Sequence, residues 1–182
     1  MHVLTAFRKT TFSRRAMLLS ALLCAVAWGQ VSVLTQHNDN SRSGTNLKET
    51  VLTTSNVSAD TFGKLFTASA DGYIFAQPLY VPKLSLVGAI HNVVYVATAA
   101  DSVFAFEADS GTLLWKKNYV PPVPSSVIGT QNILIQVGII STPVIDPATQ
   151  TMFAVTKTYE NQTQIFRLHA LDITNGSEKF GG

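Results

Sequence analysis

Cysteine is almost absent from this chain: Cys24 is the only one among 182 residues. A single thiol excludes an intrachain disulfide framework and any cysteine-rich zinc or iron–sulfur centre. Charge is scarce too. Only 13% of residues are charged and 46% are hydrophobic, where an ordinary soluble domain carries roughly 25% charged residues. Such a chain is too apolar for a disordered polymer and can bury a core. The apolar run from Ala16 to Ala27 covers about 12 residues, short of the roughly 20 that cross a bilayer as a helix. Missing as well are a G-x-S-x-G nucleophile elbow, a G-x-G-x-x-G phosphate loop and a convincing helical stripe.

What is there begins with an address. Arg8, Lys9, Arg14 and Arg15 precede the apolar run with no acidic residue among them, and the run closes on Ala25-Val26-Ala27. A basic start, a short apolar stretch and an A-x-A end make a secretory signal peptide over residues 1–27. Export by the general secretory route or, given Ser13-Arg14-Arg15-Ala16-Met17-Leu18, by a twin-arginine route is expected. That places the protein in the periplasm or outside the cell of a bacterium, with no membrane span after cleavage. Without the four leader cations, nine basic groups face eleven acidic ones. A mildly acidic chain lacking any Lys/Arg cluster offers nothing to the phosphates of a nucleic acid.

From Phe62 onward short apolar or alternating runs lie between Gly, Pro, Asp and Asn, the pattern of an all-β chain. Strands are expected at Tyr73–Val81, Val93–Thr98, Val103–Glu107 and Leu113–Tyr119, then at Ile139–Asp146, Met152–Lys157, Ile165–Leu171 and Glu178–Phe180. Asp71-Gly72, Asp109-Ser110-Gly111, Asp146-Pro147 and Asn175-Gly176 supply the reversals. Pro121, Pro122 and Pro124 form a stiff connection that ends one sheet.

The two sets of four strands share a register. Pro78 and Pro143 are 65 positions apart, as are Gly111 and Gly176. Ala76-Gln77-Pro78-Leu79-Tyr80 matches Ser141-Thr142-Pro143-Val144-Ile145, and Ala105 to Gly111 matches Ala170 to Gly176. Between these anchors Val94 aligns with Phe153 at an offset of 59. The first copy then has six extra residues in a loop at Leu84–Asn92, and the second has six in its middle hairpin at Tyr159–Gln164. Repeats whose loops vary while their strand anchors hold are characteristic of four-stranded propeller blades.

The run Ala105 to Trp115 resembles the tryptophan-docking motif, A-x-D-x-x-T-G-x-x-x-W, of β-propellers of the pyrroloquinoline quinone (PQQ) type. Ala105, Glu107, Gly111 and Trp115 fill its key positions in the first copy, and Ala170, Asp172, Gly176 and Phe180 in the second. The segment from Gln36 to Gly44, continuing through Leu52, Asn56-Val57 and Gly63-Lys64-Leu65-Phe66, resembles the lead-in of quinoprotein alcohol dehydrogenases. The resemblance implies a partial β-propeller of about two four-stranded antiparallel blades. Residues 28–62 would be the lead-in, 63–120 the first blade, 121–138 a linker and 139–182 a second, incomplete blade. It also implies a channel holding PQQ and calcium, but the residues for these do not carry over. The glutamate that contacts PQQ falls on Phe75, and the cysteine pair that covers the quinone is missing between Val120 and Ile140.

No catalytic residue is therefore assigned, and no metal site. His37, Asn38, Asp39 and Asn40 crowd amide and carboxylate groups together but lack the glycine turn and distal glutamate of a calcium loop. His91 and His169 stand beside strands without a second ligand at metal spacing. Ser125, Ser126 and Ser141 have no base at readable spacing, and Arg42 suits a hydrogen bond that ties the lead-in to a blade edge. The expected function is that of a non-catalytic binding or scaffold module, or an N-terminal fragment of one, whose ligand is an unknown protein or small molecule. The alternative is a fragment of an exported PQQ- and calcium-dependent alcohol or sugar dehydrogenase. Two blades leave an open face at each end, so further blades in cis or self-assembly in trans are expected partners.

Overall fold

A computed structural model describes residues 31–119, 121–129 and 135–181. The expected signal peptide and Cys24 lie outside these residues. The described chain is all-β, with antiparallel sheets and one helical turn.

Alternating apolar residues build the first sheet from β1 (Leu79–Leu86), β2 (Ala89–Ala97), β3 (Ser102–Glu107) and β4 (Leu113–Asn118), hydrogen-bonded in that order. β1 begins later than the sequence predicts, at Leu79, and it runs through the supposed loop. Leu84–Asn92 is instead an extension of the β1–β2 hairpin, reversing at Val87-Gly88 with both residues at positive φ. A bulge between Val81 and Leu84 makes this possible. Pro82 has no N–H to give, and Lys83 adopts φ 53° with its N–H donated to Asn92 Oδ1. The extra residue returns Leu84 and Leu86 to the face already used by Leu79 and Val81, and all four are buried.

Three strands make the second sheet: β7 (Val144–Asp146), β8 (Thr151–Glu160) and β9 (Thr163–Asp172). The strand expected at Glu178–Phe180 is reduced to one bridge between Leu171 and Glu178, so a fourth strand does not form. Tyr159–Gln164 is likewise the tip of a long hairpin, turning at Asn161-Gln162. Between the sheets lie β5 (Val123–Pro124), the turn α1 (Ser125–Ile128) and β6 (Gln136–Val137), with β5 paired to β6.

Pairing corrects the internal alignment by one residue. Val94 lies opposite Phe106, and Met152 opposite Leu171, so Val94 corresponds to Met152 and Tyr95 to Phe153. The offset is 58, not 59. In a strand one residue decides which face a side chain takes.

The core lies between the two sheets. Leu79, Val93, Tyr95 and Ala105 of the first meet Ile145, Met152, Ala154 and Leu171 of the second. A strap from the lead-in joins their inner edges: Val33 bridges Tyr80, and the Leu34 carbonyl accepts the Ile145 N–H at 2.8 Å. Beside it the Gln77 N–H donates to Thr142 Oγ1 at 2.9 Å, a bond between two equivalent positions of the repeat.

Candidate functional site

The two glycine turns have the same backbone. The Gly111 N–H bonds the Glu107 carbonyl and the Gly176 N–H the Asp172 carbonyl, each at 2.8 Å, with φ 74° and 72° at the glycines. The Glu107 and Asp172 N–H groups close the far side of each turn on Thr112 and Ser177 carbonyls, again at 2.8 Å. Their carboxylates act differently. Asp172 accepts from the N–H and hydroxyl of Thr174 at 2.8 and 2.6 Å, bracing its own turn. Glu107, one methylene longer, reaches across to the His91 ring and the Asn92 N–H.

Each turn seats an aromatic ring from another part of the chain. Trp115 lies over Gly176, where a Cβ would stand 2.8 Å from its indole. Its Nε1–H donates to the Ile173 carbonyl at 3.2 Å, which also accepts the Tyr95 hydroxyl at 2.8 Å. The Tyr119 hydroxyl bonds the Gly176 carbonyl at 3.0 Å. Burial pushes both phenols above their ordinary range, so each stays a neutral donor. Over Gly111 the corresponding place is filled by Phe66 from the lead-in, a contact sequence reasoning missed. Phe180, in the position of Trp115 in the second copy, is 80% exposed with only Lys179 Nζ over its ring. Ala105 is wholly buried and Ala170 half-buried.

Two polar clusters flank this contact. His169 lies between Thr156 Oγ1, 3.0 Å from Nε2, and Glu178 Oε2, 2.9 Å from Nδ1, with the Tyr119 ring 4.9 Å from its own. A hydroxyl, an imidazole and a carboxylate in a row have the order of a nucleophilic triad. Thr156, however, is fully buried. The row ties β8 and β9 to the segment that follows them, and the Tyr119 ring against His169 is its contact with the chain that leaves the first sheet.

The second cluster holds an unpaired acid. Asp101, in the β2–β3 turn at φ 54°, is 0% exposed, and among the described residues neither carboxylate oxygen has a partner at full hydrogen-bond geometry. Burial pushes its carboxyl up to about 7, against a weaker pull from the Lys157 backbone. Gly138 makes room for it, since a Cβ there would fall 2.6 Å from Asp101 Cγ. Its place between two strands in Ala99-Ala100-Asp101-Ser102 reads as an ordinary exposed turn, so the sequence held no sign of this burial. Asp71 behaves oppositely. Burial raises its carboxyl, but hydrogen bonds from Lys116, Ser102 and Thr98 outweigh that and hold it low.

The remaining candidates are scattered. Asp39 accepts from the Ser41 and Ser43 hydroxyls, which lower its carboxyl to about 2. Arg42 bonds Thr35 Oγ1 and the Gln36 carbonyl within the lead-in itself, not a sheet edge. The His37 N–H donates to Gln77 Oε1. Phe75 is half-exposed and Ser125 buried. Among the described residues no three His, Cys, Asp or Glu side chains gather as metal ligands, and no helix is long and apolar enough to cross a membrane.

Neither a scan against models of protein families nor a search of curated proteins returns a match for this chain.

Proposed function

We propose that this protein is an exported repeat module of PQQ-like β-propeller type, working as a non-catalytic binding or scaffold unit. Trp115 carries the reading. An indole from one repeat sits on the glycine turn of the next, and its N–H is spent on that turn's backbone. This is the contact the docking motif is built to make. The non-catalytic half rests on how the carboxylates are used: Glu107, Asp172, Asp71 and Glu178 are each committed to neighbouring side chains or backbone. Phe75 stands where a cofactor-contacting glutamate would be required, and a phenyl ring cannot accept a hydrogen bond as a carboxylate does.

Mixing the full chain with PQQ and Ca²⁺ tests the reading. No quinone band should remain with the protein after gel filtration, and no artificial dye should be reduced when alcohols or aldose sugars are added. Substrate-dependent dye reduction would establish the dehydrogenase instead.

A further inference from the structure

The repeat relates faces as well as strands. Leu79, Tyr95, Ala97, Val103 and Trp115 lie on the face of the first sheet that meets the second. Their equivalents are Val144, Phe153, Val155, Leu168 and Phe180. All five are apolar; Val144, Phe153, Val155 and Leu168, together with Phe166, lie on the side of the second sheet turned away from the first, and Phe180 stands exposed in the turn beyond the sheet. Leu168 and Phe166 are 67% and 68% exposed. A contiguous wetted patch of this kind is an interaction surface.

The other end of the chain carries the complementary surface. Val94, Val96, Phe104 and Phe106, on the outer face of the first sheet, are equivalent to Met152, Ala154, His169 and Leu171, which the first sheet already covers. The lead-in fits this outer face loosely. Phe66 is half-exposed, and an apolar cleft of about 120 Å³ remains between the lead-in and Val94, Val96 and Phe106. The aromatic contacts run in one direction. Phe66 occupies Gly111, Trp115 occupies Gly176, and Phe180 is left over.

We propose that the free face of the second sheet takes a second copy of this chain, head to tail, with Phe180 replacing Phe66 over Gly111 of that copy. The new contact continues the interface already present between the two sheets. Being heterologous, it grows into an open series or closes into a ring. Phe66 is the internal competitor that limits assembly. The contact needs only the repeat geometry and is independent of any ligand.

Sedimentation of the full chain, carrying Cys24→Ser, tests this across a wide concentration range. Association should be concentration-dependent and should weaken at least about tenfold in Phe180→Asp, which would bury an unpaired charge at the contact. Phe66→Ala should tighten it by uncovering Gly111. Chains carrying Phe180→Cys, mixed with chains carrying Ser110→Cys and oxidised, should cross-link to each other. A monomer at every concentration, or Phe180→Cys chains pairing only with themselves, would overturn the proposal. An unaltered or weaker association in folded Phe66→Ala would do the same. Should Phe66→Ala fail to melt cooperatively, the Phe180→Asp and cross-linking results decide alone. Loss of self-association with the Trp115 contact intact would leave the repeat reading of the fold standing.

Discussion

Gly176 meets two demands at once, a left-handed backbone and the absence of a Cβ beneath Trp115. Gly88 meets only the first, since its φ is 82° and nothing lies near its missing Cβ. Gly88→Ala should therefore cost about 1–2 kcal/mol from the backbone alone. Gly176→Ala should cost about 2–4 kcal/mol, because overpacking adds to the same strain. In a Trp115→Ala background the cost of Gly176→Ala should fall but stay above the Gly88 value, because Lys117 Cγ would still lie 2.6 Å from the new Cβ, and urea denaturation of the four chains measures that coupling. Asp101 offers a second test. Unfolded, its carboxyl ionises near 4; folded, it holds its proton up to about 7. Between these values the native state binds the extra proton, so its contribution to stability falls as pH rises. Asp101→Asn should remove that slope and stabilise the protein above about pH 7, because the amide leaves no charge to be buried there. Melting curves at several pH values would show it.

At the scale of strands and hairpins, the two reversals that lengthen the repeats are chemically poor for their geometry. Asn161 and Gln162 both adopt positive φ, 49° and 64°, and Val87 does so at 48° before Gly88. Two-residue hairpin turns of this kind favour Asn-Gly. Gln162→Gly and Val87→Asn should each stabilise the fold by about 0.5–1 kcal/mol, read as a higher denaturant midpoint with an unchanged slope. These hairpins also show what the sequence could carry. The strand centres around Val93–Thr98 and Val103–Glu107, and both glycine turns, were legible because alternation and Asp/Gly chemistry are local signals. The extension through Leu84–Asn92 was not. It depends on a bulge at Pro82-Lys83, where two breakers of regular pairing read as a loop. The one-residue error between Val94 and Phe153 has a similar origin: both are apolar, and only pairing across strands says which of Met152 and Phe153 faces inward. The seating of Phe66 over Gly111 joins residues far apart in the chain and leaves no local trace.

For the molecule as a whole, repetition gives direction. Each sheet has one face of the kind that covers and one of the kind that is covered, so two sheets satisfy each other once and leave one face of each kind over. The lead-in partly answers the deficit at one end through Phe66 and Asp71, the latter paired to Lys116 Nζ at 2.8 Å. At the other end, among the described residues, Phe166, Leu168 and Phe180 are exposed, with lysine ammonium groups over the two phenyl rings. Sheet edges obey the same logic. Glu178 shields only the C-terminal end of the β9 edge, by accepting the Ala170 N–H at Oε1 and pairing its backbone with Leu171.

The strap at Val33 and Leu34 sets an order of assembly. It bonds Tyr80 on one sheet and Ile145 on the other, so Leu34 gains its partner only after a residue more than a hundred positions later has been placed. Closing so long a loop is slow and returns nothing until it is complete. The Leu34 end of the strap is thus expected among the last of the described contacts to form, and until then β1 and β7 lack this bridge between them.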